Sequence, residues 1–140
     1  MIKIVLAAAL LLGMATSPEA TMQLPTIKEF NCLVKNVYYE ARGENLMGKV
    51  AVAKVTMNRV KHPKYPKTIC GVVYQHKQFS WTIKPSKAKI NAKEWLASMD
   101  AAAKGYNLSG FEATHYHNFT VSPKWGLQQI AVIGKHVFYM

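Results

Sequence analysis

Thr26-Ile-Lys-Glu-Phe-Asn-Cys-Leu-Val-Lys-Asn-Val-Tyr-Tyr-Glu-Ala-Arg-Gly-Glu44 reads as one amphipathic helix and its stop. Thr26 and Glu29 have the spacing of a capping box, with Thr26 as the cap and Glu29 reaching back. Ile27, Phe30, Val34, Val37 and Ala41 recur at three- and four-residue intervals and mark the core stripe. Arg42-Gly43 ends the helix. Cys32, Asn36 and Glu40 fall on a neighbouring face, so Glu40 sits beside the core stripe and not in its middle. A carboxyl at the end of a packed, apolar helix is where a raised pKa is easiest to arrange, and Tyr38 and Tyr39 precede it. The other reading is that Glu40 and Glu44 are solvated residues at a helix end.

Downstream, Leu46 to Val60 is apolar almost all round and predicts a helix through the centre of the domain. It stops before His62-Pro63. Thr68 is placed to cap a short helix reaching Tyr74, and Lys77 to Thr82 reads as extended or looped. Ser86 to Lys104 predicts a third long helix, with Ile90, Ala97 and Ala101 towards the core and Gly105 as its stop. Ala113 to Val121 alternates: His115, His117 and Phe119 share one strand face, and Thr114, Tyr116 and Asn118 the other. Ser122 to Gly126 is a turn or loop, and Val132 to Tyr139 a final strand able to pair with the earlier one. The expected class is α+β, a mainly helical body with a small antiparallel β element.

Upstream, Lys3 followed by the uncharged apolar run Ile4 to Ala15 and small residues at Gly13, Ala15 and Ser17 reads as an export signal over residues 1–17. The run is too short for a comfortable membrane span, so none is expected in the mature form. An uncleaved, releasable anchor is the alternative. Residues 18–25 form a leader with two prolines, and 26–140 one domain. In an exported chain the isolated pair Cys32 and Cys70 reads as a disulfide. The formal charge is +11; removing Lys3 with the signal leaves 17 basic against 7 acidic residues. Such a protein is drawn to polyanions, such as anionic envelope polymers. Export and the cysteine pair argue against nucleic acid.

The motifs occur in a recognisable order. Tyr38-Tyr39-Glu40-Ala41-Arg42-Gly43-Glu44 is followed by Gly48-Lys49-Val50-Ala51-Val52-Ala53, Asn58-Arg59-Val60 and Tyr65-Pro66. Then come Ile69-Cys70-Gly71-Val72-Val73-Tyr74, Gln78-Phe79-Ser80-Trp81, Ala113-Thr114-His115-Tyr116-His117-Asn118 and Ile133-Gly134-Lys135-His136-Val137-Phe138-Tyr139. This set resembles the SleB-like cell-wall hydrolases, the family of the spore-cortex-lytic enzymes, from about Cys32 to Tyr139. The resemblance implies a compact lysozyme-like catalytic domain and an exported lytic transglycosylase acting on peptidoglycan glycan strands. It implies Glu40, the first carboxyl of its motif, as the acid, and it places Thr114, Tyr116 and Asn118 in the substrate cleft. It implies no cofactor, and a monomer is expected.

The residues bear on that expectation independently. Acids are few: Glu19 lies by the signal, Glu29 serves the cap, Glu94 and Asp100 lie on a long solvated helix, and Glu40, Glu44 and Glu112 remain. A two-carboxylate glycosidase needs a second acid facing the first, for which Glu44 and Glu112 are the candidates. A lytic transglycosylase needs one, and a chain poor in acids fits it. Gln78 and Ser80, interleaved with Phe79 and Trp81, suit sugar hydroxyls, with Glu44 beside them as a binding residue. His115 and His117 have a spacing that can bind zinc, but packed or hydrogen-bonded histidines are the commoner outcome, so no metal is expected. No nucleophile motif is present to support a serine hydrolase. A non-catalytic basic module binding envelope polymers is the rival from another class. No wall-binding repeat is read in the chain, so charge is expected to do the tethering.

Overall fold

The structure is a computed structural model and describes residues 24–140. The expected export signal and most of the leader lie outside the described residues. The described chain is α+β, as expected. Helices α1 (Ile27–Ala41), α2 (Leu46–Lys61), α3 (Ile69–Val73), α4 (Ser80–Ile83) and α5 (Ala92–Asn107) precede strands β1 (His115–Asn118), β2 (Gln129–Ile133) and β3 (His136–Tyr139). The sheet is antiparallel in the order β1-β3-β2, with Tyr116 opposite Phe138 and Ile133 opposite His136.

Helix α2 is the central element. Its side chains from Ala51 to Arg59 are buried without a break, which is why no polar face interrupts that sequence. Of the polar side chains it buries, Lys49, Thr56, Asn58 and Arg59 are partnered by neighbouring backbone or side chains. Lys49, 4% exposed, donates to Ala41 O at 2.9 Å and Glu94 Oε2 at 3.0 Å. A cation on the last carbonyls of α1 answers both their missing hydrogen bonds and the negative end of the helix. Asn58 Nδ2 donates to the carbonyls of Phe111 and Ala113, and Arg59 Nε to that of Thr114. Asn36 Nδ2 donates to Thr56 Oγ1. One helix thus fixes the end of α1, the start of α5 and the entry to β1.

Five local expectations change. Thr26 caps α1 by accepting from Glu29 N, but the Glu29 carboxylate accepts from Cys70 N at 3.1 Å and does not complete a capping box. Ile27 is 91% exposed at the free end of α1; the buried stripe runs through Leu33, Val34, Val37, Tyr38 and Ala41. Helix α5 begins at Ala92 and not Ser86, because Asn91 accepts from Glu94 N while the Ser86 hydroxyl turns back to Ala88 N. Ile90 is therefore exposed, and Gly105 is no stop. It lies inside α5 where the helix crosses α2, and a Cβ there would stand 2.5 Å from Ala53 Cβ.

Two further segments differ. Ser80–Ile83 forms one helical turn where an extended segment was expected. Val132 to Tyr139 is a hairpin, β2 and β3 joined at Gly134-Lys135, and not one strand. Gly134 takes φ 58°, and a Cβ on it would collide with the Glu44 carboxylate. Cys32 and Cys70 form a disulfide, with Cα atoms 5.3 Å apart, tying α1 to α3.

Candidate active site

Glu40 lies in the last turn of α1, where the helix end is pinned by Lys49. A recess of about 310 Å³ opens on it, lined also by Arg59, Gln78, Phe79, His115, Tyr116 and Trp125. Glu40 is the one carboxylate among these lining residues. Tyr116 Oη donates to its Oε2 at 3.1 Å. Burial raises the Glu40 pKa, opposed by the Tyr116 hydrogen bond and by the Arg59 guanidinium. Burial and the neighbouring Glu40 charge also push the Tyr116 phenol well up, so it remains a donor. A hydroxyl on Oε2 leaves Oε1 as the oxygen that carries the acid proton.

Arg59, 6% exposed, is fixed at both ends of its fork. Nε donates to Thr114 O at 2.8 Å and Nη1 to Gln78 Oε1 at 3.1 Å. Its guanidinium lies 5.3 Å from the Tyr65 ring centroid and 5.8 Å from that of Phe79. It therefore sets the position of Gln78 and supplies positive potential to the recess. Trp125 reaches in from the loop before β2, packed against His115, His117 and Tyr139 at 5.3–5.5 Å between centroids.

Of the residues expected to bind substrate, Gln78 and Tyr116 join Glu40 in the recess. The others are placed elsewhere. Glu44 accepts from Lys135 N at 3.2 Å and lies 3.9 Å from His136 Nδ1, beneath the β2–β3 turn. Thr114 O accepts from Arg59 and its hydroxyl lies in hydrogen-bond contact with His115 Nδ1, Asn118 Oδ1 accepts from Thr120 N, and Ser80 is exposed at the start of α4. Tyr38 and Tyr39, which precede Glu40, do not line its recess. Tyr38 Oη accepts from Asn91 N, and Tyr39 stacks on Trp81.

Arg59 and Trp125 are not among the site residues read from the sequence, and His115 is weighed there only as a metal ligand. Arg59 had a signal: a guanidinium in a helix buried all round must be held by partners. Trp125 had none beyond its place in a Pro- and Gly-flanked loop. His117 Nδ1 donates to Asn118 O at 2.8 Å, and its Nε2 shares a 2.8 Å hydrogen bond with Tyr139 Oη, so both ring nitrogens are engaged. Among the described residues no three His, Cys, Asp or Glu side chains converge on one point. A larger recess of about 770 Å³ between α2, α5 and β2 is lined by apolar side chains with Lys104 and Asn107, and offers no acid.

Residues 43–139 match the cell wall hydrolase family, over more than half of the sequence. The chain belongs to that family. This cell wall hydrolase is 31% identical to the spore cortex-lytic enzyme of Oceanobacillus iheyensis, over 90% of the chain and 49% of that protein. It is 36% identical to the spore cortex-lytic enzyme of Bacillus subtilis, over 79% of the chain and 37% of that protein. It thus spans about half or less of the length of these relatives. Among solved structures, the hydrolase is similar to the catalytic domain of the germination-specific lytic transglycosylase SleB from Bacillus anthracis. The TM-score is 0.67 at 32% identity, covering 84% of this chain and 100% of that one. The family match begins at Gly43, so Glu40 stands just before it. Among the described residues no helix is long and apolar enough to cross a membrane.

Proposed function

We propose that the chain is an exported enzyme that degrades peptidoglycan. It cleaves the glycan strand between N-acetylmuramic acid and N-acetylglucosamine as a lytic transglycosylase. The observation that carries this reading is a single half-buried carboxyl, Glu40, alone among acids in its recess. The name of the Bacillus anthracis neighbour agrees with it.

Glu40 Oε1 gives its proton to the glycosidic oxygen as the bond from that oxygen to muramic acid C1 breaks. The Glu40 carboxylate, still held by Tyr116, then takes the proton of the muramic acid 6-hydroxyl. That oxygen bonds to C1 and closes a 1,6-anhydro ring. Glu40 ends protonated and no water is consumed. The alternative, a hydrolase using Glu44 or Glu112 as a second carboxylate, has less support. Glu44 is occupied by the hairpin turn, and Glu112 is exposed outside the recess.

Mass spectrometry of muropeptides released from purified sacculi tests the reading. Anhydro-muramic products, each one water lighter than a hydrolytic product, are expected. Reducing muramic ends would overturn the transglycosylase assignment, and release of peptides alone would overturn glycan cleavage altogether.

A further inference from the structure

A second recess, of about 260 Å³, lies beside the first along α1. Lys35 and Tyr39 line it from the helix face next to the one carrying Asn36 and Glu40. Trp81 lines it from α4, its ring stacked on Tyr39 with centroids 4.8 Å apart and 24° between planes. Tyr74 meets Trp81 edge-on at 5.7 Å. Trp81 Nε1 donates to Asn36 Oδ1 at 3.3 Å, so the indole reaches from the Tyr39 face of α1 to the face that carries Glu40. Gln78 and Phe79, which line the first recess, run directly into Trp81 and Thr82, which line the second. The two recesses are consecutive along both segments.

The polar groups of this second recess are unlike those of a packed cluster. Among the described residues the Lys35 ammonium and the Tyr39 and Tyr74 hydroxyls have no partner, whereas Thr82 Oγ1 donates to Phe79 O. No carboxylate lines the recess. Tyr74 is 49% exposed, although an aromatic present only for packing gains by being covered. Lys35 is half-buried without a counter-charge. The recess therefore offers aromatic walls, hydroxyl groups and one fixed positive charge. That combination fits a sugar ring with an anionic substituent.

We propose that Lys35, Tyr39, Tyr74 and Trp81 form a subsite for a glycan residue that bears a peptide. The sugar lies against the aromatic wall, and a peptide carboxylate pairs with Lys35. This rests on the peptidoglycan reading above, and extends it from the bond cleaved to the substituent recognised.

The test uses the whole protein and two soluble probes, a disaccharide carrying its tetrapeptide and the same disaccharide with its lactyl carboxyl blocked as the methylamide in place of the peptide. Calorimetry should show the peptide-bearing probe bound about tenfold more weakly by Lys35→Gln, the scale of one hydrogen bond to a charged group. Lys35→Arg should restore most of that affinity. The blocked disaccharide should not distinguish Lys35→Gln from wild type, but Tyr74→Ala should weaken both probes. Equal affinity of wild type and Lys35→Gln for the peptide-bearing probe overturns the subsite, as does an equal loss for both probes. Cleavage of sacculi is measured separately. Binding with the expected pattern but no cleavage would remove the lytic reading and leave the subsite standing. Cleavage with no effect of Lys35→Gln on binding would do the reverse.

Discussion

At the scale of single residues, Glu40 and Glu44 show how two carboxylates four positions apart acquire different work. Glu40 is half-buried beside a phenol and a guanidinium, and Glu44 receives a backbone N–H and faces a histidine. Glu40→Gln keeps the shape and removes the proton donor, so muropeptide release should fall by roughly 100-fold or more, while sacculus binding stays. The same variant bears on stability. Burial raises the folded-state pKa of Glu40, so the folded protein holds that proton more tightly than the unfolded chain. The stability it contributes is present in acid and lost as pH rises from the ordinary carboxylate range through the raised value. Glu40→Gln should therefore raise Tm at neutral pH and gain little at pH 4, as scanning calorimetry at the two pH values would show. A lower Tm at neutral pH would contradict this account. Tyr116→Phe removes a hydrogen bond that favours the carboxylate. The alkaline limb of the activity profile should move to higher pH, and a shift to lower pH would count against Glu40 as the acid.

At the scale of elements, the disulfide and the α2–α5 crossing carry separable predictions. In the chain-entropy model a link across 38 residues stabilises by about 4 kcal/mol. Cys32→Ser should lower Tm by more than about 10 °C, and reductant should move wild type but not the variant. Gly105→Val forces side-chain atoms into Ala53 and the carbonyl of Val50 and should cost about 1–3 kcal/mol, read from the urea midpoint. Helices α1 and α2 were legible because their apolar patterns are long and their caps are local. The start of α5 was misplaced because Ser86 and Asn91 both offer caps, and only the packing of α5 on its neighbours selects Asn91. The β2–β3 hairpin reads as one strand because β-forming residues lie on both sides of Gly134-Lys135, with no longer turn signal between them. Its reason, the close approach of Glu44, comes from 90 positions earlier in the chain.

At the scale of the whole molecule, a formal charge of +11 on 140 residues should govern encounter with an anionic wall. Screening shortens its reach to about 8 Å at physiological ionic strength, so sedimentation with sacculi should fall steeply between low and high salt. Binding unchanged by salt would assign the tether to contacts other than charge. The recess was legible only in part at this scale. Glu40, Arg59, Gln78 and Tyr116 stand in motifs, whereas Trp125 enters it through tertiary contacts that no local pattern encodes. Thr114 and Asn118 share the strand face of Tyr116, yet backbone and turn partners take up their polar groups first. The glycine above Glu44 has a practical sequel. Any side chain at Gly134 displaces that carboxylate, so Gly134→Ala and Glu44→Ala both undo the seat of the hairpin. A plate screen for clones that no longer clear a cell-wall overlay should therefore return Glu40, Glu44 and Gly134 as equals. Soluble yield should sort them: full for Glu40 variants, and depleted for the other two.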